Sequence, residues 1–139
     1  MSLFGVFDIA GTALNAQSIR LNVTTSNMAN ADAVSSSVES TYRARQPVFA
    51  SLVDKFSFDS EFSPARVQVR GIVESDAPLR KEYKPEHPLA DAEGYIFRPN
   101  VNAIEEMANM LSASRSYQNN IEVVNAAKQM LLRTLSLGQ

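Results

Sequence analysis

The side chains that most often perform catalysis are sparse in this 139-residue chain. It contains no Cys and a single His, His87, which stands between Glu86 and Pro88. Serines are numerous, but none has the G-x-S-x-G context that exposes a nucleophile, and only His87 could act as its base. A His beside a Pro is typical of a turn. We therefore interpret His87 as a turn residue and not as a catalyst or a metal ligand.

Cation and phosphate sites have equally little support. Asp54, Asp59 and Glu61 could gather a cation, but their spacing is not that of a calcium-binding loop. The five glycines are scattered and form no phosphate-binding loop. The absence of Cys excludes disulfides and thiolate metal sites. The sequence predicts no enzymatic activity, no cofactor and no metal.

Nucleic acid and membrane partners are not expected either. The net charge is -2, and the basic pairs Arg43/Arg45 and Arg80/Lys81 are too small for a nucleic-acid footprint. No apolar run is long enough to span a bilayer. The N-terminus has no basic segment followed by a cleavage site, so we expect no cleaved secretory signal.

Charge is distributed unevenly along the chain. Residues 1–38 contain three charged side chains, residues 39–106 contain 21, and residues 107–139 contain four. A helix that faces water on one side usually carries Lys and Glu there, whereas these two ends carry Asn, Ser, Thr and Gln. The pattern favours ends that are packed by other chains, and the alternative is a polar, uncharged surface in water.

The C-terminal part reads as one long helix. From Asn102 to Leu135 it has neither Pro nor Gly, and such a helix is about 50 Å long. Asn102 and Glu105 form a candidate capping box, and Gly138 is a candidate stop. A seam recurs at alternating spacings of four and three residues: Ala103, Met107, Met110, Ser114, Tyr117, Ile121, Val124, Lys128, Leu131 and Leu135. A domain of this size cannot cover the full seam, so intermolecular packing is expected for the rest.

The N-terminal part, from Leu3 to about Ala31, predicts a second helix. Phe7, Leu14, Leu21 and Met28 repeat every seven residues, with the small residues Gly11, Ser18 and Thr25 between them. Small residues let two helix backbones approach closely. Gly and β-branched residues weaken an isolated helix, so we expect this segment to be frayed until a partner covers its seam.

The middle of the chain predicts short strands. Four segments have strand character: Thr41 to Leu52 with Pro47 at an edge or bulge, Arg66 to Glu74 with a bulge at Gly71, Leu79 to Lys84, and Tyr95 to Phe97. The predicted fold is α+β, with long N- and C-terminal helices that pair antiparallel around a small β-rich insert. The predicted parts are residues 1–33, 34–100 and 101–139.

Both ends resemble a known family. The segment L-N-A-Q-S-I-R-L-N-V-T-T-S-N-M-A-N-A-D-A is similar to the N-terminal motif of bacterial flagellar rod and hook proteins, with Ser26, Asn27, Ala29, Asn30 and Ala31 at its centre. The stretch from Ser112 to Gly138 resembles the C-terminal motif. The segment P-L-A-D-A-E-G-Y-I-F-R-P-N-V-N and the short length are similar to the proximal rod components of that family. Residues 51–66 carry no resemblance.

This resemblance implies a structural subunit of the rod in the flagellar basal body. It implies export through the flagellar type III apparatus, a place in the periplasmic rod, and contacts with copies of itself, with other rod subunits, and with membrane-ring and export-gate proteins at the rod base. Another proximal or distal axial component is the alternative, and a small ligand-binding domain built on the β insert is a third reading. The predicted assembly interface consists of Phe7, Leu14, Leu21, Asn27, Met28, Asn30, Met107, Met110, Leu111, Tyr117, Ile121, Val124, Leu131 and Leu135.

Overall fold

A computed structural model describes residues 3–53 and 65–136 of the chain. The elements are helix α1 (Leu3–Ala29), strands β1 (Arg45–Val53), β2 (Ala65–Glu74), β3 (Arg80–Tyr83) and β4 (Tyr95–Arg98), and helix α2 (Ala103–Ser136). The two helices pack against each other, and the strands lie between them in the sequence. The predicted α+β fold, a helical pair with a small β insert, is confirmed.

Polar side chains define the helix ends that lie next to the insert. The Asn102 side-chain carbonyl accepts a hydrogen bond from the Ile104 N–H at 3.2 Å, so Asn102 caps α2 as predicted. Among the described residues, the reciprocal bond of a capping box, from the Asn102 N–H to the Glu105 carboxylate, is not formed. Asn30 follows α1, and its backbone N–H at 3.2 Å and its side-chain amide at 2.8 Å both donate to the Ser26 carbonyl in the last turn. The predicted stop at Gly138 lies outside the described residues.

The helix pair is antiparallel and uneven in length. Asn27, near the end of α1, contacts Glu106 at the start of α2. With 27 and 34 residues the helices are about 40 and 51 Å long, so the last turns of α2 extend beyond the start of α1. In the part of the chain that the structure describes, neither helix is long and apolar enough to cross a membrane.

Strands β1 and β2 form an antiparallel hairpin that lies along α1. Val48 pairs with Gly71 and Phe49 with Val69, so Arg70 has no partner in the ladder and the predicted bulge is present beside Gly71. Strand β1 begins at Arg45, four residues later than predicted. The segment from Asp54 to Pro64, where alternating Phe56, Phe58 and Phe62 predict a short strand or a hairpin arm, lies outside the described residues.

Strands β3 and β4 form a second antiparallel ladder, to which Ser35 adds one bridge with Phe97. Gly94, in the turn between them, has a φ of 82°, and a Cβ there would lie 3.0 Å from the Tyr83 ring. Glycine is therefore required by both the backbone angle and the space. His87 lies in the same connection, and its Nδ1 accepts from the Leu89 N–H at 3.1 Å, which confirms its place in a turn.

The core is small and consists largely of short side chains. Ile96 and Val101 are its largest buried aliphatic residues, and Ala31 and Ala44 pack beside Val101. Four of the eight fully buried residues in the described parts of the helices are alanines: Ala10, Ala16, Ala113 and Ala127. Each of these contributes far less buried apolar area than a Leu or Ile would, and the larger apolar side chains between the helices are only half-buried.

Candidate assembly interface

Helix α2 buries a different line of residues from the predicted seam. The side that faces the rest of the subunit recurs at spacings of four and three residues: Glu106, Met110, Ala113, Tyr117, Asn120, Val124, Ala127 and Leu131 are buried or half-buried. The predicted seam shares only Met110, Tyr117, Val124 and Leu131 with this line. The other seam residues Met107, Ser114, Ile121 and Lys128 each follow a residue of the covered line by one position. The covered side of α2 is therefore turned by about 50° from the predicted seam, which corrects the sequence interpretation.

The remaining members of the predicted interface on α2 lie on an uncovered flank. Met107 and Leu111 are 58% and 55% exposed, and Ile121 and Leu135 are exposed as well. On the helical wheel this flank also contains Ile104 and Leu132, both exposed. We call these six residues the outer flank of α2: Ile104, Met107, Leu111, Ile121, Leu132 and Leu135. The apolar residues form two groups on this flank, Ile104 to Leu111 and Ile121 to Leu135, with Ser114 and Gln118 between them. Exposed apolar groups of this size on one side of a helix favour an interaction site.

Helix α1 is covered on two sides, by α2 and by the β1–β2 hairpin. Its predicted interface residues Phe7, Leu14, Leu21 and Met28 are all half-buried. Of the small residues between them, Gly11 and Thr25 are exposed and Ser18 is half-buried, and a Cβ built on Gly11 would meet no atom within 4 Å. The close backbone approach predicted at Gly11 is therefore not made by the residues that the structure describes, and the position is open to a partner.

Asn27 was expected at an interface, and the structure places it inside the subunit. Its side chain is 1% exposed and makes four hydrogen bonds. The side-chain oxygen accepts from the Tyr42 hydroxyl and from the Arg45 N–H, both at 2.9 Å. The side-chain nitrogen donates to the Arg45 carbonyl at 2.8 Å and to Glu106 at 3.1 Å. Asn27 can contribute to assembly only indirectly, by joining α1, α2 and the insert.

Glu106 is a buried carboxyl that the sequence interpretation missed, since it resembled an ordinary acidic residue of a first helical turn. Burial raises its pKa above the ordinary Glu value, and the negative charge of Glu105 adds to this effect. Hydrogen bonds from Asn27 and Thr24, and the positive charge of Arg20, act in the opposite direction. The net shift is upward, so the folded state binds a proton here more tightly than the unfolded chain does.

This shift makes a prediction for stability against pH. A raised folded-state pKa contributes stability that is complete below the unfolded Glu value of about 4.3, and that is lost as the pH rises through the folded value. Glu106→Gln keeps the acceptor for Asn27 and removes the charge. Its urea midpoint is therefore expected to match the wild type near pH 4 and to exceed it at pH 7. Tyrosine fluorescence can report unfolding, because the chain has no Trp and Tyr42 lies in this network.

The control for that measurement is Glu105→Gln, which removes a neighbouring charge and is expected to give a smaller shift of the same sign. Equal pH profiles for wild type and Glu106→Gln would contradict the burial of an ionisable carboxyl.

The described ranges contain no cluster of metal-ligating side chains. Within residues 3–53 and 65–136, no three His, Asp or Glu residues lie close enough to hold a metal ion. The acidic trio considered from the sequence, Asp54, Asp59 and Glu61, falls outside these ranges. The features that stand out are the outer flank of α2 and the buried network of Asn27, and neither has the composition of an active site.

Comparison with known proteins matches both ends of the chain. The family model for flagella basal body rod proteins matches residues 7–35, and the model for the C-terminal part of the flagellar basal body rod FlgEFG proteins matches residues 92–137. The flagellar basal-body rod protein FlgC of Salmonella typhimurium is 52% identical over 139 residues, and that of Escherichia coli O6:H1 is 50% identical. The FlgC protein of Buchnera aphidicola subsp. Acyrthosiphon pisum is 40% identical over 141 residues. Each of these alignments covers both chains completely.

Proposed function

Because this chain belongs to the family of FlgC flagellar basal-body rod proteins, we propose that it builds the proximal part of the rod. It is a structural subunit of the basal-body rod and assembles with other flagellar components. We propose that these components are copies of itself, other rod subunits, and the membrane-ring and export-gate proteins at the rod base. The full-length likeness to FlgC proteins favours this position over that of another axial component.

The observation that carries the assembly role is the contrast between the two sides of α2. The side that packs within the subunit buries Ala113 and Ala127 and half-buries Met110, Val124 and Leu131, whereas the outer flank leaves Leu, Ile and Met side chains exposed. Full burial of such a side chain is worth about 1.5–3 kcal/mol. A large part of the apolar surface of α2 is therefore available to a neighbouring subunit.

In the proposed arrangement, residues 1–33 and 101–139 form the wall of the rod and of the export channel inside it. Residues 34–100 lie outside that wall and add lateral contacts. The chain reaches the periplasm through the flagellar type III apparatus, and its helices complete their folding at the growing end, where the cost in conformational entropy is met by binding. The role is structural, with no catalytic step, as the family supports.

The experiment that tests this function is imaging of basal bodies from cells that lack the chain and from cells that produce a tagged copy. We expect no completed rod in the first case, and in the second a tag confined to the membrane-proximal end of the rod. A tag at the distal end would favour the alternative axial component. Normal rods in cells without the chain would refute the structural role.

A further inference from the structure

The start of strand β1 is held from one side by Asn27. Both polar groups of the Arg45 backbone bond to the side chain of Asn27. The Arg45 N–H donates to the Asn27 side-chain oxygen at 2.9 Å, and the Arg45 carbonyl accepts from the Asn27 side-chain nitrogen at 2.8 Å. Within a strand, the N–H and carbonyl of one residue point to the same side. The amide of Asn27 therefore occupies the place where a third strand would pair with β1, and it fixes one residue of β1 to one residue of α1.

The same point is held from the other side by Asn100, which lies between β4 and α2. Its side-chain oxygen accepts from the Ala44 N–H at 2.8 Å. Its side-chain nitrogen donates to the carbonyls of Ala77 at 2.8 Å and Ser75 at 3.3 Å. The Ala44 carbonyl in turn accepts from the Ser75 N–H at 2.8 Å. Asn100 thus joins the residue before β1 to the residues after β2.

Further along the hairpin, the described polar contacts with α1 restrict its direction less than the contacts of the two asparagines do. The Val67 N–H donates to the Thr12 hydroxyl at 3.3 Å, and an ion pair between Arg66 and Asp8 at 3.1 Å is partly exposed. Exposed ion pairs contribute little, and apolar packing against α1 is not directional. Hydrogen bonds are directional, and at the base of the hairpin Asn27 and Asn100 make five of them to the segments next to and within β1 and β2, four at 2.8–2.9 Å, against the single 3.3 Å bond of Thr12. The two asparagines therefore contribute most to how the hairpin is set on the helices.

The direction of the hairpin has consequences for its outer surface. Five of its apolar residues are at least 41% exposed: Val48, Phe49, Leu52, Ile72 and Val73. A small rotation about the base would move this surface by several ångströms at the far end of strands of nine and ten residues.

We propose that Asn27 and Asn100 are positioning residues that together fix the direction of the β1–β2 hairpin, and that rod assembly depends on this direction. The second half of the statement rests on the proposed function, whereas the first half concerns the subunit alone. Neither residue needs to touch a neighbouring subunit: Asn27 is buried, and the bonds of Asn100 described here are all internal.

The first half is tested by measuring a distance between two spin labels on the full chain. The chain has no Cys, so Gln68→Cys on β2 and Ala108→Cys on α2 place both labels without other changes, at exposed positions of the hairpin and of a helix. A single narrow distance distribution is expected without further substitution. Asn100→Ala is expected to broaden it, and Asn27→Ala with Asn100→Ala to broaden it further. Asn22→Ala, which removes an exposed amide from α1, is expected to leave it unchanged.

A variant that removes only part of the Asn100 hydrogen bonds distinguishes a change of hairpin direction from unfolding of the subunit. Asn100→Asp keeps the acceptor for the Ala44 N–H and loses the two donors, so an intermediate width is expected. An unchanged distance distribution in the variant with both Asn27→Ala and Asn100→Ala would refute the proposal that these two residues fix the direction of the hairpin.

The second half is tested by counting rods in cells that produce the unlabelled variants. Loss of rods in the double variant, with the chain still exported, supports it, and wild-type rod numbers together with a broadened distribution would overturn it. Wild-type rods in cells lacking the chain altogether would instead refute the proposed function and leave the distance result standing.

Discussion

Replacement of Leu111 by Asp is expected to abolish rod assembly and motility while leaving the fold of the subunit intact. Leu111 lies on the outer flank of α2 and is 55% exposed, so a carboxylate there remains in water in the free subunit. In the rod it would be buried against a neighbour. The substitution would forfeit about 1.5–3 kcal/mol of apolar burial and add several kcal/mol for an unpaired buried charge, once in every subunit.

The measurement is the distance that cells spread in soft agar. It is accompanied by counts of rods in purified basal bodies and by a check that the chain is exported. Leu111→Met preserves volume and apolar character and is expected to assemble. Leu14→Asp and Leu131→Asp should also block assembly, but both side chains are half-buried within the subunit, so they also disturb the helix pair. Wild-type motility in Leu111→Asp would count against the outer flank as an interface.

The second large effect concerns helix content. In the structure, α1 and α2 comprise 27 and 34 residues. In the dilute free subunit, circular dichroism is expected to show far less helix than this, because the turns far from the insert fray, while the β insert and the helical turns joined to it through Asn27 remain folded. Four of the eight fully buried residues in the described parts of the helices are alanines, α1 contains Gly5 and Gly11 at about 1 kcal/mol each relative to Ala, and isolated helices are marginal in water.

Gly11→Ala offers a matched comparison for this second prediction. The added Cβ meets no atom within 4 Å, so it should raise the helix content of the free subunit. A cooperative melt of a dilute wild-type subunit with the full helix content would contradict the expectation.

The sequence predicted the long helices well because their apolar spacing persists over many turns. The sequence could not show which of the apolar residues on α2 face the rest of the same subunit. Met107, Leu111 and Ile121 carry the strongest apolar signal and lie outside, whereas Ala113 and Ala127 carry little and lie inside. Periodicity reports that a side of a helix is covered, but not by which molecule.

The buried polar network was beyond the reach of sequence reasoning. Asn27 and Asn100 bond to Arg45 and Ala44, which are 18 and 56 residues away in the chain. No local pattern marks such partners. The Asn100 bond also bears on why β1 starts at Arg45 and not at Thr41, since it occupies the Ala44 N–H and keeps that group from pairing with a strand.

The most direct test of the central claim, that neighbouring subunits cover the outer flank of α2, is the reactivity of a single thiol. Because the chain has no Cys, Leu111→Cys introduces the only one, and a small maleimide reagent can be applied to intact basal bodies and to the same sample dissociated in denaturant. We predict that the thiol is protected in intact basal bodies and reacts fully after dissociation. Equal and rapid reaction in both would show that the flank faces solvent in the rod and would contradict the account.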